Sequence, residues 1–108
     1  MTVKELSEVS GFLPIALPEP TRVIDGVYIG DLLSWVMGRA KENDAWITIM
    51  SNINVIAVAS LADVSVVIFA EDVTPEQDII DAANLKGINL ISVKQAAYDT
   101  AIALNKLL

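Results

Sequence analysis

A small three-layer α/β domain, built on a parallel or mostly parallel central sheet, is the fold this sequence predicts. Three observations carry the prediction. Apolar runs of strand length occur at residues 45–50 and 64–70, too apolar for a strand with one wet face, and a further strand-length segment follows at 88–92. Segments with helical periodicity and capping residues separate them. Aromatics supply only 6% of a chain that is 54% apolar, so Val, Ile, Leu and Ala must fill the interior, as in sheets covered on both faces. A length of 108 residues corresponds to one domain, residues 1–108.

The elements follow in order. Thr2 and Glu5 form a capping box, Leu6 and Val9 share a helical face, and Gly11 can close a short helix over 3–9. The apolar stretch 12–16, followed by Pro18 and Pro20, suits an edge strand or loop. Residues 22–29 alternate β-branched and polar types as a strand, and Asp31 is placed to cap a helix over 32–40. Arg39 and Lys41 lie at that helix's negative end. The strand 45–50 leads through Ser51 and Asn52, both capping types, into a helix over 53–62. Residues 64–70 read as a central strand ended by Glu71 and Asp72. Thr74, Pro75 and Gln77 supply an N-cap, a first-turn proline and a capping box for a helix that runs to Lys86 and closes at Gly87. After the strand 88–92, Ser92 with Gln95 caps a last helix reaching Lys106 or beyond, with Ala97, Ala101, Leu104 and Leu108 on one face. Strand and helix alternate from Val23 onward, which predicts parallel strands joined by right-handed crossovers.

The composition removes several functions. With no His and no Cys, the commonest general base, the commonest thiol nucleophile and most transition-metal ligands are missing. No GxxxxGK[ST] or GxGxxG phosphate cradle occurs, so no catalytic residues are assigned and an enzyme is a distant third reading. Fourteen acidic residues against seven basic ones give a net charge of −7, which argues against nucleic acid and anionic membranes as partners. No apolar run approaches bilayer length and residues 1–10 lack the form of a signal peptide, so a cytoplasmic location is expected.

In parallel sheets, functional groups gather where strands give way to helices. Asn52, Asn54, Glu71 and Asp72 stand at such turns and are the candidate ligand-binding residues. Their alternative roles are capping for Ser51 to Asn54 and a solvated strand end for Glu71 and Asp72. A cation shared with Asp31 would need oxygen ligands that no spacing here provides, so no metal and no cofactor is expected. Residues 32–37 hold five large apolar side chains in six, more than one inward helical face can bury. Leu33, Trp35, Val36 and Met37 are therefore the candidate interface, with Leu104, Leu107 and Leu108 a second patch. A homodimer is the simplest way to cover such a surface.

Residues 46–101, WITIMSNINVIAVASLADVSVVIFAEDVTPEQDIIDAANLKGINLISVKQAAYDTA, resemble the DRTGG domain, a module found alone, fused to phosphotransacetylase or inserted between CBS domains of pyrophosphatases. The opening TVKELSEVSGF resembles the start of the N-terminal domain of HPr kinase/phosphorylase, whose fold is related and whose active site lies in a separate P-loop domain. In the family an Asp-Arg pair follows the strand matching 45–50, and a Thr-Gly-Gly turn follows the strand matching 64–70. This chain has Asn52 and Ile53 near the first place and Ala70, Glu71 and Asp72 at the second. The resemblance implies a retained fold with an altered site. The expected function is a non-catalytic regulatory module that forms a homodimer and binds a protein partner or effector. The alternative is a sensor of a nucleotide or metabolite at the strand ends, where acidic residues favour a cationic or neutral ligand over bare phosphate.

Overall fold

The computed structural model describes residues 1–108 and contains five strands and five helices. In chain order these are α1 (Val3–Ser7), β1 (Leu13–Ala16), β2 (Gly26–Ile29), α2 (Leu33–Arg39), β3 (Asp44–Thr48), α3 (Asn54–Ala62), β4 (Val66–Phe69), α4 (Gln77–Lys86), β5 (Leu90–Ser92) and α5 (Ala97–Leu107). One sheet runs in the order β1-β5-β4-β3-β2. Strands β2 to β5 are parallel and β1 is antiparallel to β5, so the sheet is mostly parallel as the sequence predicts.

Each crossover moves the chain one strand in the same direction. Its helix α2, α3 or α4 therefore lands on the same face of the sheet. There Val36, Val55, Ile56, Val58, Ala59, Ile79 and Ala83 pack on Ala16, Trp46, Val67, Phe69 and Leu90. The other face is closed by α1 and α5, whose Val3, Leu6 and Leu104 pack on Ala45, Ile47, Val66, Ile68 and Ile91. The strand period of two is visible in β3: Trp46 faces one layer, and Ala45 and Ile47 face the other. Every residue of β3 and β4 is buried.

Local chemistry explains most boundaries. The Thr2–Glu5 capping box forms: the Glu5 amide donates to Thr2 Oγ1 at 3.1 Å and the Thr2 amide to Glu5 Oε1 at 2.9 Å. These contacts hold the Glu5 carboxyl below its ordinary pKa. Gly87 closes α4 with φ 74°. The strand expected over 22–29 shortens to Gly26–Ile29, because the N-terminal segment takes the earlier backbone groups. Val3 donates to the Arg22 carbonyl and Ile24 to the Met1 carbonyl, each at 2.9 Å, leaving Val23 in one isolated bridge to Thr2. Arg22 spans two left-handed residues, donating to Asn43 Oδ1 at 2.9 Å and to Asp63 Oδ1 and O at 2.8 Å.

Three expected caps are not formed. Asp31 does not cap α2, whose N-cap residue is Leu32 with no side-chain bond. Helix α4 starts at Gln77 after Glu76 rather than after Thr74: Thr74 Oγ1 reaches only the Asp72 carbonyl at 3.5 Å, and the Gln77 side chain bonds Asp81 instead. Ser92 Oγ donates to the Val73 carbonyl at 2.9 Å, so α5 begins after Ala96 without a side-chain cap.

Asn89, 1% exposed, locks the segment after β1. Its Nδ2 donates to the carbonyls of Glu19 and Ser65 at 2.7 and 2.9 Å, and its Oδ1 accepts from the Glu19 amide at 2.9 Å. Truncation leaves these groups unpaired, so Asn89→Ala is expected to lower stability by about 2 kcal/mol, read as a fall in the urea midpoint with an unchanged slope.

Candidate functional site

The strand order has no reversal among its parallel members, so the crevice of doubly wound sheets, which opens where the order reverses, is not formed between them. The carboxyl edge is instead a row of turns tied together by hydrogen bonds. Asp31 Oδ1 accepts from Thr48 Oγ1 at 2.9 Å and from the Ile49 amide at 3.0 Å, while Thr48 Oγ1 accepts from the Met50 amide at 3.1 Å. Asp31 thus fastens the β2–α2 turn to the end of β3.

The four candidate ligand-binding residues fall in separate places. Asn52 Oδ1 accepts from the Asn54 amide at 2.9 Å, which gives Asn52 the local role of closing the first turn of α3. Asn52 also lines, with Ser51, Ile53, Glu76, Asp78 and Ile79, a cleft of about 380 Å³ between the starts of α3 and α4. Its acidic neighbours are therefore Glu76 and Asp78, which the sequence reading did not select. Asn54 is exposed and lies outside that lining.

Glu71 and Asp72 line none of the clefts and form a turn with φ 58° and 62°, the left-handed region. The Glu71 amide donates to the Gln95 carbonyl at 2.8 Å and the Asp72 amide to the Val93 carbonyl at 2.9 Å, fixing the turn to the β5–α5 loop. The backbone at the place of the family's glycine turn is therefore one that glycine adopts freely and a glutamate adopts under strain. No group of three Asp or Glu side chains is arranged to hold a metal.

The candidate interface divides in two. Val36 is fully buried and Leu33 packs on the core, so Val36 leaves the exposed set: it is the inward anchor of α2. Trp35 is 53% exposed and Met37 48%, and Ile29, Leu32 and Ile49 are exposed beside the same end of the sheet. The Arg39 guanidinium lies 3.7 Å from the centroid of the Trp35 ring, a cation–π contact that holds the indole flat while leaving it open to solvent. Leu104 of the second patch is buried in the core, whereas Leu107 and Leu108 are exposed. No helix is long and apolar enough to cross a membrane.

Strain at residue 71 leads to a measurable outcome. Glu71→Gly is expected to raise stability by about 0.5–1 kcal/mol, the relief of left-handed strain less the entropy of glycine, and Asp72→Gly by less because Asp tolerates this region better. Chemical denaturation of the two variants beside the parent protein gives both values.

Comparisons with known proteins agree with this architecture. No curated protein sequence matches the chain. One solved structure of similar fold contains the CBS and DRTGG domains of the regulatory region of Clostridium perfringens pyrophosphatase, complexed with the activator diadenosine tetraphosphate. It has a TM-score of 0.65 and 20% sequence identity, and the match covers 86% of the present chain and 40% of that chain. The present chain thus spans less than half of its neighbour. The sequence matches the DRTGG domain over residues 19–107. The chain belongs to the DRTGG domain family.

Proposed function

We propose that this chain is a non-catalytic regulatory module that forms a homodimer and presents a docking face to a protein partner or effector. The observation that carries the reading is the exposed set on and beside α2: Leu32, Trp35 and Met37 remain open to water, with Trp35 held in place by Arg39. Large, pre-ordered aromatic and Met side chains of this kind are the residues that anchor interface centres. The fold and family match agree with a regulatory role, since the solved neighbour is a regulatory region, and the absence of His and Cys removes the usual catalytic groups. Trp35→Ala is expected to weaken self-association about 30-fold or more, the cost of truncating an interface anchor, with the circular dichroism spectrum unchanged. Native mass spectrometry across a dilution series measures it, and an unaltered dimer in this variant rules out the α2 face.

A second reading is favoured by the nucleotide activator bound by the neighbour's regulatory region. In that reading the cleft between α3 and α4 takes a small polar effector. Glu76 and Asp78 favour a neutral or cationic molecule over a polyphosphate there. Isothermal titration with adenosine and with diadenosine tetraphosphate tests this: binding of the neutral nucleoside, weakened about tenfold or more by Asn52→Ala, supports the cleft, and binding of neither probe rejects a nucleoside ligand.

A further inference from the structure

The two edges of the sheet are built differently. The β1 edge carries Pro14 and a register break between Pro14 and Ala16, two devices that prevent another strand from adding to it. The β2 edge, Gly26–Ile29, pairs only with β3 and has no proline, no lysine and no bulge. Its sequence through Gly30, Gly-Val-Tyr-Ile-Gly, is symmetric in residue type about Tyr28. Each glycine has an internal reason: a Cβ at Gly26 would lie 2.7 Å from Asp44 Oδ1, and one at Gly30 2.9 Å from Tyr28 Cε2. Together they leave both ends of the strand bare of side chains.

We infer that β2 pairs antiparallel with β2 of a second copy of this chain about a two-fold axis at Tyr28, joining two five-stranded sheets into one of ten. This rests on the homodimer reading above and names how the dimer is made. The ladder phase supports it. The Gly30 amide donates to the Ile47 carbonyl at 3.2 Å, so Gly30 and, by alternation, Tyr28 turn their backbone groups toward β3. Val27 and Ile29 then turn their N–H and C=O outward, the orientation in which Val27 of one copy and Ile29 of the other exchange a pair of hydrogen bonds on each side of the axis.

Side chains fit the same register, which sets Tyr28 against Tyr28 and Val27 against Ile29, the β-branched and aromatic pairs that stabilise strand pairing. Val27 faces the α5 layer, and by alternation so does Ile29, which is 49% exposed. A groove of about 510 Å³ lies on that side, lined by Val27, Tyr98, Ala101, Ile102 and Leu108 among others, and Ile29 of the second copy enters it. On the other side Arg39 and Lys41 share a cleft with Asp25 and Glu42, so apposed edges meet mixed charges and not charges of one sign. Arg39 joins this edge to Trp35, which makes the strand and the α2 face one continuous surface.

The test combines native mass spectrometry with residue-resolved amide hydrogen exchange over a concentration series. The Val27 and Ile29 amides are expected to gain tenfold or greater protection as dimer forms, and Ile29→Lys to raise the dimer dissociation constant at least 30-fold while leaving the circular dichroism spectrum intact. Val27→Pro removes an outward N–H without touching the β2–β3 ladder, and is expected to be monomeric. A dimer that persists in Ile29→Lys, with a Val27 amide that exchanges freely at every concentration, overturns the strand pairing and leaves the α2 reading standing. A parent protein that stays monomeric throughout overturns both.

Discussion

Exclusion of water from both faces of β3 and β4 is the constraint on which the rest of the molecule depends. With every residue of these strands buried, helices must cover both sides, and the one-directional strand order assigns α2, α3 and α4 to a single layer. That layer is complete only if α2 keeps Val36 inward over the Trp46 side of the sheet. The indole of Trp46, fully buried, keeps its hydrogen bond by donating Nε1–H to the Gly30 carbonyl at 2.9 Å. Core and β2–α2 turn are thus one unit, and the position of the exposed indole of Trp35 is inherited from the buried one of Trp46.

The carboxyl edge of the sheet illustrates how a family framework persists when its signature residues change. Two successive left-handed residues at Glu71 and Asp72 are held by hydrogen bonds from their amides to carbonyls of the β5–α5 loop, so the turn is specified by its partners and not by its own side chains. The cost of placing non-glycine residues there is carried by the surrounding packing.

Much of the fold was legible in the residues because the signals were short-range or compositional. Thr2 and Glu5 sit three apart with little choice of partner, Gly87 is the residue a left-handed helix end prefers, and the runs feeding β3 and β4 leave no exposed face. The caps expected of Asp31, Thr74 and Ser92 were not formed because each has a long-range competitor or lacks a local donor: Asp31 bonds Thr48 and Ile49, Ser92 bonds the Val73 carbonyl, and Thr74 follows a strained turn. No local pattern announces such partners. For the same reason the cleft at Asn52 gains Glu76 and Asp78 in place of Glu71 and Asp72: the approach of α3 to α4 decides it. Helical spacing could have separated Val36 from Trp35, since a residue and its immediate neighbour do not share a face.

Strand β1 lies against β5, with Leu13 opposite Ser92, while β2 to β5 each sit beside their immediate predecessor or successor. The chain therefore contains a block of consecutive strand–helix–strand units whose contacts are near in sequence, closed by one pairing whose loop spans most of its length. Loop-closure entropy sets the order in which these form. During synthesis the parallel block can condense as it leaves the ribosome, whereas residues 12–20 must wait, extended and unpaired, until β5 has emerged. The proline of β1 then serves in time as well as in space, keeping a strand without a partner from finding the wrong one.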